Sequence, residues 1–266
     1  MGVRPSLAIG SVGAALLVLA PMVQAQSISD RVSEIEDGKI RMSFAARAGV
    51  CGDGHHSVSF NGGRGWNVRH GDDDEDWERV CEHGPVRVVL RMRDSEVVEI
   101  DTYVGGRWRS PTRSTVDLGT VSAPDAARYM LGLARTAKGD VGAEALFPAM
   151  VADSITVWPE LLDMARDREL TGSTRKGATF WLSQAAAEAA TRGLAEIAED
   201  ADGDRDIRMA AVFGLSQRPN DEGVPVLIRI ATTNDDPDIR KQALFWLGQS
   251  NDPRAIELFE DLLTKG

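Results

Sequence analysis

The chain has 266 residues, enough for one large domain or two modest ones, and its 42% hydrophobic and 27% charged content is that of a folded protein rather than a disordered one. A formal net charge of −11 argues against nucleic acid as a partner, because phosphates need Lys and Arg to neutralise them. It also leaves no polybasic patch for anionic lipid headgroups.

Residues 1–25 read as an export signal. Arg4 supplies a positive start, Leu7–Ala20 is an apolar run, and Val23-Gln24-Ala25 presents small residues for cleavage before Gln26. The run is about 14 residues, short of the roughly 20 that span a bilayer, and the rest of the sequence offers no other candidate span. The mature chain is therefore expected outside the cytoplasm, periplasmic or extracellular, with no membrane span of its own.

That compartment bears on the two cysteines, Cys51 and Cys81, because an oxidising environment favours one disulfide. Closing a 30-residue loop would contribute about 3.5 kcal/mol in the chain-entropy model. Residues 26–121 read as a β-rich domain around that bridge. Ser27–Lys39 is a short helix or an extended arm. Ile40, Met42 and Phe44 alternate with Arg41, Ser43 and Ala45 as in a half-buried strand. Ala48–Asp76 is loop-rich and ends in the acidic run Asp72–Asp76, which lacks calcium-loop spacing and reads as a solvated loop. Val86–Arg93 and Val97–Val104, joined by Asp94-Ser95-Glu96, form the clearest hairpin.

Both cysteines and all four histidines fall between positions 51 and 83. Asp53 with His55, His56 and His83 could ligate a metal, and the two cysteines with His55 and His83 would complete a Cys2His2 zinc set. These spacings match no established zinc motif. A Cys51 nucleophile would need a histidine base and an orienting residue, and none of the latter can be named. Disulfide and metal both stand open at this level, and no cofactor is called for.

From residue 122 the strand signal gives way to helical periodicity. Ser122 precedes a first helix at Ala126–Ala137, and Ala143–Ala152 and Glu160–Arg168 follow. One stretch then occurs three times: RKGATFWLSQ at Arg175–Gln184, RMAAVFGLSQ at Arg208–Gln217 and RKQALFWLGQ at Arg240–Gln249. Five columns are invariant: Arg175/Arg208/Arg240, Ala178/Ala211/Ala243, Phe180/Phe213/Phe245, Leu182/Leu215/Leu247 and Gln184/Gln217/Gln249. Copies 32 or 33 residues apart mark a stacked helical array. Each copy opens a helix (Thr174–Ala187, Asp206–Gln217, Asp238–Gln249), and second helices lie at Thr191–Glu199, Gly223–Thr232 and Arg254–Thr264. Asp236-Pro237 and Asp252-Pro253 each set an N-cap acid before a first-turn proline.

These residues resemble HEAT-like repeats, a form also seen in phycobilin lyases, well over about the last 95 residues and loosely over Ser122–Leu170. The resemblance implies a right-handed solenoid of helix pairs over residues 122–266. Alanine would sit where helices approach, and the Phe and Leu columns would fill the core between layers. It also implies a charge ladder between repeats, carried here by Asp206 and Arg208 and by Asp238 and Arg240, incomplete at Arg175, where Ser173 and Thr174 replace the acid.

The Trp181/Gly214/Trp246 column is read as packing against the adjacent helix. A specific contact surface is expected first beside the gap left by Gly214. The expected whole is α+β, a disulfide-linked β-rich unit followed by a HEAT-like solenoid. Its expected role is that of an exported, non-catalytic scaffold for a protein or peptide partner of basic character. The alternative is a metal-dependent activity in the 51–83 tract.

Overall fold

A computed structural model describes residues 26–55, 58–60, 81–108, 110–185 and 188–265. The export-signal reading of residues 1–25, the acidic run 72–76 and His56 lie outside the described residues.

The described residues open on a helix rather than an extended arm. α1 (Ile28–Ser33) is fixed by a capping box in which Ser27 Oγ accepts the Asp30 N–H and the Asp30 carboxylate accepts the Ser27 N–H, and it buries Ile28 and Val32. β1 (Gly38–Phe44), β4 (Val86–Arg93), β5 (Glu96–Val104) and β6 (Thr115–Thr120) form one sheet in the order β5-β4-β1-β6. β4 lies antiparallel between β1 and β5, and β6 runs parallel to β1. The predicted hairpin is present. Its tight turn is Asp94-Ser95, both at positive φ, as a two-residue hairpin demands. β6 was not legible in the sequence. Only Val116 and Leu118 alternate there, and Gly119 at φ +72° breaks the strand next to Thr120.

The tract read as loop contains two short antiparallel strands, β2 (Val50–Gly52) and β3 (Val58–Phe60). Alternation sends Ile40, Met42, Phe44, Val86, Val88, Leu90 and Met92 to the inner face, all at most 4% exposed. They share one continuous core with α2 (Ala123–Thr136) through Ala126, Ala127 and Met130. The backbone joins the two regions as well. The Arg47 N–H donates to Val151 O at 2.9 Å, the Asp153 N–H to Ala45 O at 3.0 Å, and the Ile100 N–H to the Glu144 carboxylate at 3.1 Å.

The helical layers follow. The segment read as one helix at Ala143–Ala152 is two, α3 (Val141–Glu144) and α4 (Leu146–Val151), separated at Ala145. Pro148 sits in the first turn of α4, where its missing N–H costs nothing but cannot serve a longer helix arriving from residue 141. α5 (Trp158–Arg166), α6 (Gly172–Ser183), α7 (Glu188–Glu199), α8 (Arg205–Ser216), the 3-10 turn η1 (Pro219–Asp221), α9 (Val224–Thr233), α10 (Pro237–Gln249) and α11 (Pro253–Lys265) complete the chain. α6, α8 and α10 pack in one row and α5, α7, α9 and α11 in a second. Each pair closes its apolar face only against its neighbours, as expected of a helical repeat. Among the described residues no helix is long and apolar enough to cross a membrane.

Candidate interaction surface

In the 51–83 tract the structure bonds Cys51 to Cys81, with the Cα atoms 5.2 Å apart. The bridge ties β2 to the segment entering β4, and Gly52 and Glu82 exchange backbone hydrogen bonds of 3.0 and 2.8 Å beside it. Asp53 is spent locally: its Oδ1 accepts the His55 N–H at 2.8 Å, a turn-forming bond. His83 Nδ1 lies 3.1 Å from Val50 O, and His55 is exposed. Disulfide sulfurs are not thiolates, so the Cys2His2 set cannot assemble in this state. Among the described residues no three His, Cys, Asp or Glu side chains converge on a point that could hold a metal ion.

The invariant columns of the array divide into packing and wiring. Ala178, Ala211 and Ala243 are fully buried, and Leu182, Leu215 and Leu247 are at most 1% exposed. The Phe column differs from its reading. Phe180 and Phe213 are half-buried and Phe245 is 53% exposed, so phenylalanine lines the edge of the array rather than its centre. Each of two such rings meets the tryptophan of the next repeat: Phe147 stacks on Trp181 at 5.4 Å, and Phe213 lies 5.0 Å from Trp246. Phe147 belongs to a fourth, degenerate copy. Offset by 33 residues, Ala145 and Phe147 fall in the columns of Ala178 and Phe180, a signal weakened because Gly142 stands for the arginine and Pro148 for the tryptophan.

Gly214 does not leave a gap. It is buried, and a Cβ placed there would lie 3.1 Å from Leu194 Cδ2 and 3.3 Å from Ser183 Cβ. Leu194 and Ser183 thus stand against the point where the other copies begin their indole side chain. Trp181 is buried, whereas Trp246 is half-buried with its Nε1 lacking any hydrogen-bond partner among the described residues.

The ladder exists with different rungs. Arg175 Nη1 reaches Asp204 at 3.3 Å and Arg208 Nη1 reaches Asp236 at 3.1 Å, each pairing with the N-cap acid of the next repeat. Each arginine is buried and also donates Nε to a carbonyl of the preceding second helix, Ala165 or Ala198. Asp206 and Asp238, the acids expected in the ladder, form an outer row with Lys176 at 2.6 Å and Arg205 at 2.5 Å. Arg175 is therefore wired despite lacking an acid beside it. A residue that sequence reading passed over, Arg218, is wholly buried. It donates to Ser183 O at 2.9 Å, Thr191 Oγ1 at 2.8 Å and Glu222 at 2.9 Å, locking the turn after α6 to η1.

Arg240 turns back to the carbonyls of Asn234 and Asp235. Phe245 on α10 is exposed, and on α11 Ile256, Leu262 and Leu263 are 55%, 49% and 85% exposed. Glu257, Glu260 and Asp261 are exposed on the same helix. This apolar strip with an acidic border is the candidate interaction surface.

No curated protein matches the chain, and no family match covers the β-rich N-terminal region. Residues 191–266 match the family model for HEAT repeats, within a helical, repeat-like C-terminal region, the kind of structure that suits protein partners.

Proposed function

We propose that the protein is an exported, non-catalytic scaffold that holds a protein partner through exposed apolar side chains of α10 and α11. One observation carries the reading. Phe147 and Phe213 each lie against a tryptophan of the next repeat, whereas Phe245 on α10 and Ile256, Leu262 and Leu263 on α11 are exposed. Apolar side chains contiguous on a surface and rimmed by charge mark a contact site. The acidic border and the net charge of −11 favour a partner segment that sets apolar anchors between lysines or arginines, as a basic amphipathic helix does. Export is supported by the pattern of residues 1–25 and by a disulfide, which persists in oxidising compartments.

The test is a crosslinking capture with wild-type protein and with Leu263→Asp, which touches a side chain outside the core. A partner of basic sequence held by the wild type and lost by the folded variant supports the proposal. Equal capture by both refutes the assigned surface. Recovery of the protein from the cytoplasm with residues 1–25 intact refutes export.

A further inference from the structure

The sheet face opposite the helices carries its own site. Register places Lys39 and Arg41 of β1, Arg87 and Val89 of β4, Asp101 and Tyr103 of β5, and Thr115 of β6 on that face. Because β5 and β6 are the two edges of the sheet, the connection between them crosses this face, with residues 105–108 and 110–114 described. They bring Trp108 over the strands. Its ring centre lies 5.1 Å from Arg41 Cζ and 5.0 Å from Arg87 Cζ, so one indole is shared by two guanidinium groups. Beneath the crossing is a cleft of about 410 Å³, lined among others by Lys39, Arg41, Arg87, Tyr103, Arg107 and Trp108.

Arg87 is the unusual member. It is 4% exposed, its Nη2 donates to Gly54 O at 3.1 Å, and its Nε has no hydrogen-bond partner among the described residues. Burial lowers its pKa from the usual arginine value, against the raising effects of Tyr103 and Glu82. The backbone is shaped around it. Gly54 and Gly106 both have positive φ, and a Cβ on Gly106 would stand 2.6 Å from Arg87 Nη2. Four cations thus meet in one cleft of an acidic protein. Asp117 neutralises Arg41 at 2.6 Å, Asp101 lines the cleft and Glu82 acts on Arg87, which leaves an excess of about one positive charge among the described residues.

We propose that this cleft binds an oxyanion, the phosphate or carboxylate group of a small ligand. Arg87 is the buried anchor, Lys39 and Arg107 close on the charge from the exposed rim, and Trp108 forms the wall. A buried guanidinium whose Nε–H has no acceptor among the described residues is costly, and an oxyanion supplies both acceptors and the opposite charge. The planar fork of arginine matches either group.

The experiment is a nuclear magnetic resonance titration of the full, disulfide-intact protein with inorganic phosphate and, separately, succinate at constant ionic strength. It follows the Arg87 Nε–H and the Trp108 indole N–H. The expected result is a saturable shift of both signals by at least one probe, with a Kd tighter than about 10 mM. Saturation by phosphate alone assigns a phosphate ligand, and saturation by succinate alone assigns a carboxylate. Lys39→Met and Arg107→Met alter exposed side chains, and each should weaken binding about ten-fold. Arg87→Lys should abolish the saturable response. Should Arg87→Lys fail to fold, the two rim variants decide alone. Absence of saturation by both probes, or a double rim variant that binds as tightly as the wild type, overturns the proposal.

Discussion

Replacing Arg218 with methionine is the sharpest test of how the array is held together. The side chain is wholly buried, and methionine keeps its aliphatic volume while removing the guanidinium. Ser183 O and Ala185 O then lose a shared donor, the Thr191 hydroxyl loses the Nε–H at 2.8 Å, and Glu222 loses its ion-pair partner at 2.9 Å. A buried acceptor left without a donor costs about 1–3 kcal/mol, but these sites share one donor group and relax together. Breaking a buried, hydrogen-bonded charge centre of this kind costs about 3–5 kcal/mol in total. For a chain of this size that lowers Tm by roughly 10 °C. Urea and thermal unfolding followed by far-ultraviolet circular dichroism give both numbers. Glu222→Gln is the control. The Glu222 side chain is 39% exposed and water replaces part of its contact, so its cost should stay below about 1 kcal/mol. A loss below about 1 kcal/mol for Arg218→Met would show that the turn after α6 is held by helix packing alone.

Two further outcomes follow from the same geometry. Gly214→Trp, which restores the tryptophan column by sequence, should destabilise the fold by at least about 3 kcal/mol, because a Cβ already lies 3.1 Å from Leu194; a raised melting temperature would mean that an open slot exists there. Asp252 caps α11 and accepts the Arg254 N–H and Nε–H, both at 2.8 Å, and this pairing holds its carboxyl down to about 2. The folded carboxyl thus releases its proton more readily than the unfolded one, so its stabilisation is intact above about pH 4 and is lost as pH falls towards 2. Hydrogen exchange of α11 amides between pH 2 and 5 should show that slope in the wild type and not in Asp252→Asn, and equal slopes would refute the assignment.

Much of the array was legible because its determinants are local. The 33-residue repeat, the Asp-Pro starts of α10 and α11, and the small and branched columns at Ala178 and Leu182 each follow from one helix needing a neighbour to cover one face. Reading failed where a residue's role depends on the next repeat. Arg208 pairs with Asp236, 28 residues away, rather than with an acid on its own helix, and an arginine repeated along the chain carries no sign of how far it reaches. The Phe column looked like core because phenylalanine usually is. Only the structure places these rings at the edge of the array, with Phe147 and Phe213 against a tryptophan of the next repeat. The fourth copy was obscured by Pro148, which shortens α4 and removes the tryptophan from its column.

The β-rich region divides in the same way. Alternation in Ile40–Phe44 and the two arms around Asp94-Ser95 identified three strands, since a half-buried strand writes its period into the chain. Cysteine count and compartment pointed to the bridge, and the structure bonds Cys51 to Cys81. Neither the edge position of β6 nor the route of the connection from β5 to β6 is written locally. Both depend on which strands pair. That pairing sets Trp108 between Arg41 and Arg87, residues 46 positions apart in sequence, and makes a charged cleft from side chains that alternation alone would have left to water. The sequence by itself determined the helical array and the core strands of the sheet, because these rest on short-range periodicity. The tertiary structure alone decided the ladder's partners, the closed site at Gly214 and the cationic cleft, because each is a meeting of residues that no local pattern relates.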